Sequence, residues 1–401
     1  MILFLTLVNF LLAPRSVWSQ DVAPSPVPTT PTGNIQEWSA KMNELSKVIS
    51  ELLPDIASQN NFKESKNSER IEKNIEMLGK LSHGVNISSQ TEGTFKDQDM
   101  DPSLLFLSDL FSSEVKRAAV QFKSGNYEYA RSVIRGVTGF CVACHTRGQS
   151  GPQFPALDWA SSLSGLTPFE RAELFAATRQ FDRAFDEYLS IISNSEILNE
   201  RQIEWERSIR HALAIAVRVK AAPLQALKVV DQILFLPKAP LFVKQDAKLW
   251  KSSIQTWKKE IPRKITTAGG MWAEAKRLIA KANLVQKYPT DRSADIWYLR
   301  ASKVVHDYLR VTSDTAKTAE ALFLAGVCYE ALGDLRLWSL SDVYFEACVR
   351  KYPHSKVARS CYQRYEQSVF AGYSGSSGIS IPQDIKAQLA ELRTLADLLK
   401  K

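Results

Sequence analysis

Apolar residues recur along most of this chain every three or four positions, the period of a helix with one buried face. The strict alternation of a half-buried strand is nearly absent, so an all-α fold is expected. In the first segment Ile35, Trp38, Met42, Leu45, Ile49 and Leu52 share one stripe, and Pro54 predicts a stop after Leu53. A second helix is predicted over about 67–83, with Ile71, Ile75 and Leu78 inward and His83-Gly84 at its end. Residues 86–100 read as a polar loop. A third helix starts at Asp101-Pro102, an N-cap followed by a first-turn proline. It runs to about Lys123 and is broken by Ser124-Gly125-Asn126. A fourth carries Tyr127 through His145.

From Phe169 onward helices come in pairs, with small residues where two helices cross and larger apolar ones filling the gaps. Ala172, Phe175, Ala184 and Tyr188 stand at offsets of 3, 9 and 4, and Ala214, Val217, Ala226 and Val230 repeat them before Pro237. Trp272 to Pro289 holds a weaker helix with Ala275, Ile279 and Ala282. Gly326, Tyr329, Phe345 and Pro353 form the clearest later unit, with about three extra residues between its helices. Residues 165–371 thus resemble an array of tetratricopeptide-like repeats, although the full consensus is never complete; a generic helical bundle is the alternative. Such an array implies a superhelix whose concave face binds protein or peptide. Residues 371–380 read as a flexible loop before a C-terminal segment, 381–401, with an amphipathic helix over 383–400.

At 401 residues and 45% apolar content, two or more domains with cores of their own are expected. The formal charge of +8 is unevenly spread. Residues 35–150 hold 14 Lys and Arg against 15 Asp and Glu, while 151–401 hold 36 against 27. A near-neutral module followed by a basic one suggests different partners for each.

The chemistry concentrates at Cys141-Val142-Ala143-Cys144-His145. Two thiols three positions apart add across the two vinyl groups of a porphyrin, and the next histidine is then held against the iron as proximal ligand. Two other readings compete. Zinc would want a second ligand pair at similar spacing, and the chain has no other Cys-x-x-Cys or His-x-x-x-His. A thioredoxin-like redox pair would want a βαβ context, which the flanks do not offer. Covalent haem c, one per chain, is the expectation.

Haem is attached in this way on the oxidising side of a membrane, and the N-terminus agrees. Residues 2–12 form a short apolar core and Val17-Trp18-Ser19 a cleavage site, so 1–19 read as a signal peptide, although Arg15 follows the core instead of preceding it. The run is too short to span a bilayer, and no cysteine follows it for a lipid anchor. Residues 20–34 are a Pro/Thr linker, extended and semi-rigid. A soluble periplasmic protein is expected; an uncleaved membrane anchor is the alternative.

Four helices with Cys141, Cys144 and His145 ending the fourth, Arg147 just beyond, and a methionine on the first helix resemble the class II c-type cytochromes, the cytochrome c-prime type. The resemblance covers about residues 35–150. It implies a four-helix bundle whose last helix supplies both thioethers and the proximal histidine, with Met42 as sixth ligand. Up-down-up-down topology also brings His83 to the haem end, with Met77 and Met100 as further possibilities. An open sixth site is the remaining one. Met/His ligation would raise the reduction potential, bis-His would lower it, and an open site would bind small gases.

Electron transfer is the expected function, with the repeats docking a redox or assembly partner. A haem-based gas or redox sensor, a scaffold stabilised by haem and, more weakly, a haem peroxidase are the alternatives. No paired-carboxylate site, positioned nucleophile or phosphate loop is recognisable, so the chain is not expected to be an enzyme. The basic stretch Lys238–Lys264 contains Lys244, Lys248, Lys251, Lys258, Lys259 and Arg263, with Trp250 and Trp257. It is either a surface for an anionic membrane or acidic partner, or the solvated face of a long helix. Nucleic acid is not expected for an exported chain. Cys328, Cys348 and Cys361 fall at apolar positions; Cys348 and Cys361, on consecutive helices, are the pair chosen for a disulfide.

Overall fold

A computed structural model describes residues 35–82, 101–147, 163, 165–260, 265–288, 291–312, 314–333, 340–376 and 378–397. The signal peptide, the linker and His83 lie outside the described residues, as do Met100, Arg263 and Lys264.

The described chain is all-helical apart from one two-residue hairpin. Helix α1, Ile35–Ala57, does not stop at Pro54. A proline lacks one N–H, but that loss is offset in the last turn, where Ile56 is buried and the carboxylate of Asp55 takes a two-pronged bond from Arg70 at 2.6 and 2.8 Å. The stop is Ser58, extended at φ −113°, which also caps the short α2, Gln59–Lys63. The apolar periodicity does not predict that helix, which places Phe62 edge-on against Phe122, with ring centroids 5.4 Å apart.

Helix α3, Ser65–Ser82, buries Ile71, Ile75 and Leu78 as expected. Helix α4, Pro102–Lys123, begins at its predicted cap, where Asp101 accepts the Ser103 N–H at 3.1 Å. It ends before Gly125, whose φ of +78° suits a glycine. The predicted fourth helix is two: α5, Tyr127–Gly136, and α6, Thr138–His145. At the joint Val137 and Phe140 bond three residues back, to Ile134 and Val137, so the ladder tightens between Gly136 and Gly139. Helix α5 packs on α4, whereas α6 turns onto the next helix, α7, Pro168–Ala177.

The rest of the chain runs through α8 (Phe181–Ser193), α9 (Ser195–Glu200) and α10 (Gln202–Ala214), which continues into a π-helical turn, Ile215–Val219. Then follow α11 (Pro223–Phe235), α12 (Leu241–Lys259), α13 (Ala268–Val285), α14 (Asp295–Val311) and α15 (Thr315–Leu332). The last are α16 (Leu340–Lys351), α17 (Ala358–Gly372), the hairpin β1 (Ser374–Gly375) and β2 (Gly378–Ile379), and α18 (Gln383–Ala396). Pairing of near neighbours in the chain dominates, as in α7 with α8, α13 with α14 and α15 with α16.

Three turns pass through positive φ at matching places. Ala172, Ala214 and Gly326 open the three clearest units, and seven residues after each the backbone passes through positive φ: Arg179 at 60°, Ala221 at 49° and Gly333 at 48°. At the third unit Gly326 lies so close to Phe345 that a β-carbon there would run into the ring. Gly326→Ala is expected to cost about 1–3 kcal/mol through overpacking. A lower urea midpoint at unchanged slope would show it; an unchanged midpoint would mean that Phe345 can move aside.

One continuous apolar cluster runs from Leu45 on α1 through Val142 on α6 to Leu332 on α15. A second joins Leu107 on α4 to Trp272, Tyr344 and Leu392. Cys348 on α16 and Cys361 on α17 form a disulfide, the pairing chosen from sequence. Cys328 is a buried thiol, pushed up to about 12 by burial. No described helix is long and apolar enough to cross a membrane.

Candidate haem-attachment site

Cys141, Cys144 and His145 occupy the last turn of α6, and neither thiol is in a disulfide. Cys141 packs against the first apolar cluster and Cys144 against the second. Burial, reinforced by Cys144, pushes the Cys141 thiol up to about 12, and burial also raises that of Cys144. Both sulfurs keep their protons at neutral pH. A thioredoxin-like pair needs a depressed thiol, so this environment disfavours that reading. Addition across a vinyl group consumes one S–H per thioether, which two protonated thiols one helical turn apart supply.

His145 is held by the end of α7. There the Gln180 N–H bonds to Phe175 and the Arg179 N–H to Ala176, the paired bonds of a Schellman turn with Arg179 in the left-handed region. These bonds leave the Ala177 carbonyl out of the ladder, and it faces His145 Nδ1 at 2.5 Å. A carbonyl only accepts, so Nδ1 carries the proton and the lone pair lies on Nε2. Burial, with a smaller contribution from Arg179, pulls the imidazole down to about 4, and it is neutral at physiological pH. A neutral ring with Nδ1–H tied to a backbone carbonyl is the usual preparation of a metal-ligating histidine. Two free thiols and this imidazole fit covalent haem.

Past the motif, Arg147 enters a buried polar cluster. Its guanidinium pairs with Asp101 Oδ2 at 3.0 Å. The same oxygen accepts from His306 Nδ1 and from the Tyr344 hydroxyl, each at 3.0 Å, while Oδ1 accepts from the Ser103 hydroxyl at 2.5 Å. His306 Nε2 in turn meets the Tyr329 hydroxyl at 3.0 Å. The start of α4, the end of α6, and α14, α15 and α16 therefore converge beside the motif. From sequence Asp101 reads only as a cap, because Arg147 lies 46 residues away and His306 and Tyr344 more than two hundred.

Met42 is buried on α1, as its stripe requires. The main partners of α1 are α2, α3 and α5, whereas those of α6 are α4, α5 and α7, so Met42 and His145 sit on helices that do not pack extensively on each other. Met77 lies against the first apolar cluster. Among the described residues no three His, Cys, Asp or Glu side chains converge to hold a bare metal ion.

The basic stretch is largely α12. Its tryptophans do not make a contact surface: Trp250 is buried, with Nε1–H donated to the Arg292 carbonyl at 2.7 Å, and Trp257 lies under Arg300 at 4.9 Å. Lys251 pairs with Asp231. Leu241, Phe242 and Leu249 are exposed within the stretch, and Phe235 just before it, so that Phe235, Leu241 and Phe242 flank Lys238. Compared with protein-family models, curated proteins and solved structures, the chain matches none.

Proposed function

We propose that this chain is an exported monohaem c-type cytochrome that transfers electrons, attached through Cys141 and Cys144 and ligated by His145. The observation that carries the reading is the pinned tautomer: the Ala177 carbonyl accepts a hydrogen bond from Nδ1–H, which leaves the ring's lone pair on Nε2. Haem, when bound, supplies a one-electron ferrous/ferric couple. The residues orient the ligand, exclude water and keep the imidazole neutral. The Cys348–Cys361 disulfide supports an oxidising, periplasmic location.

In the same reading α1, α3, α4 and α5 form the bundle of a class II cytochrome, residues 35–150, with α6 presenting the haem. The helices of residues 165–371 form a tetratricopeptide-like solenoid that docks a redox or assembly partner, and 381–401 close it. The equal placing of the positive-φ turns at Arg179, Ala221 and Gly333 supports the repeat. Met42 is the proposed sixth ligand, with His83 the alternative. Phe235, Leu241 and Phe242 beside Lys238 favour an anionic membrane surface as the second contact.

The test is the mass of the mature protein made with haem-maturation machinery. A gain of one haem and loss of about nineteen residues is expected. A mass without haem would end the cytochrome reading. A reduced spectrum that shifts with carbon monoxide would replace electron transfer by gas sensing.

A further inference from the structure

Behind the motif helix lies a cavity of about 110 Å³. Gly139, Ala143 and Thr146 of α6 and its flank line one wall, while Cys141, Cys144 and His145 do not line it. At 100° per residue those two sets fall on opposite faces of α6. Whatever enters this cavity is therefore separate from a group held by the thiols.

The other wall, from α10, the π-helical turn and the region before α14, brings in Arg207, Arg210, Arg218 and Arg292. Arg207 is paired with Glu173 at 3.0 Å and Arg292 with Asp295 at 2.9 Å. Arg210 donates to the Gly333 carbonyl at 2.7 Å. Arg218 differs from these three. It is only 7% exposed, its guanidinium lies over the Tyr329 ring at 5.3 Å, and its Nε–H has no hydrogen-bond partner among the described residues. Nor does any described carboxylate stand within ion-pair distance of it.

A buried guanidinium without a counter-charge is costly, because taking an ion out of water is penalised by several kcal/mol unless a partner compensates. The backbone beneath Arg218 is also irregular. It belongs to the five-residue π-helical turn Ile215–Val219, which leads into Ala221 at φ 49°. Such turns are rare and collect at functional sites, and a non-glycine residue at positive φ carries local strain. Two costly local features thus converge on one cavity wall, and a bound anion would compensate the charge.

We propose that this cavity binds a small free anion, a carboxylate or an oxyanion, on the fork of Arg218, linking α6 to the helices behind it. The Tyr329 ring packs against the guanidinium at 5.3 Å, and the neighbouring arginines add positive potential without being released from their own partners. The volume admits several waters or a ligand of a few heavy atoms. A nucleotide or a second haem is too large. The site does not depend on whether haem is attached at the opposite face.

The test is calorimetric titration of the full chain with inorganic phosphate and, separately, succinate, against sodium chloride at equal ionic strength. Saturable binding of one of the two anions, one per chain, is expected. Arg218→Gln should weaken it roughly tenfold to a hundredfold, the range for losing a charge-assisted hydrogen bond. Phosphate alone would identify an oxyanion site, succinate alone a carboxylate site. If Arg218→Gln does not fold, Arg218→Lys keeps the charge, loses the planar fork and should still weaken binding. No saturable heat with either anion, an equal response to chloride, or wild-type affinity in the folded variant would overturn the proposal.

Discussion

An Asp101→Ala chain is expected to lose roughly 3–5 kcal/mol of stability, the range for removing one partner of a buried ion pair. The carboxylate caps α4 through Oδ1 and gathers Arg147, His306 and Tyr344 on Oδ2, so its loss leaves the Arg147 charge buried beside two phenols. Burial alone would raise the Asp101 pKa. The Arg147 charge and the bonds from His306 and Ser103 overcome that and hold it far below the usual carboxylate range. With the folded-state pKa lowered, the stabilisation is complete above about pH 4, where the unfolded carboxylate is ionised, and drains away as the pH falls further. The buried imidazoles act in a higher window. Burial depresses both His145 and His306, so stability also declines as the pH falls below about 6.5 and these rings resist protonation. Urea midpoints from pH 7 to pH 3 separate the two: Asp101→Ala should start lower and lack the steep limb below pH 4. A midpoint equal to wild type at pH 7 would show that water replaces the carboxylate at no cost.

Where a helix begins or ends through a local device, the sequence alone carried the information. Asp101-Pro102 and Ser124-Gly125-Asn126 bound α4 because a cap, a proline and a left-handed glycine act within a few residues. Pro54 failed as a stop because a buried Ile56 and the Asp55–Arg70 pair, fifteen residues apart, outweigh one missing backbone bond. The joint at Val137 had a readable signal in Gly136 and Gly139, two weak helix formers inside one presumed helix. It matters because it frees α6 from the line of α5 and turns the motif onto α7.

The site divides along the same line. The thiols and the histidine are legible because their chemistry requires fixed spacing on one turn. What prepares His145 is a backbone carbonyl, which any residue at 177 would provide, so no side chain announces it. The Asp101 cluster and the Arg218 cavity are assembled from residues distant in the chain, each unremarkable in its own segment. Trp250 shows the converse: an aromatic among lysines reads as surface, yet its indole N–H reaches Arg292 and it packs inside.

Cys141→Ser combined with Cys144→Ser is expected to abolish covalent haem, whereas His145→Ala is expected to retain it and lose the axial ligand. The difference follows from what each group does. In the proposed attachment two sulfurs would make the only bonds that survive denaturation, and one imidazole would make a bond that does not. Acid-acetone extraction reads the first: pigment should stay with the wild-type and His145→Ala chains and leave the double variant completely. The reduced spectrum reads the second: His145→Ala should become high-spin and bind added imidazole, which restores the lost ligand. The hydrogen bond from Nδ1 to Ala177 adds a quantitative step, since outer contacts of this kind alter ligand affinity roughly ten- to a hundredfold. His145→Gln removes the imidazole itself, so it should lose the axial ligand as His145→Ala does and cannot report on that outer contact. Haem retained by the double serine variant would exclude thioether attachment. A His145→Ala spectrum identical to wild type would remove His145 from the iron while leaving the attachment intact.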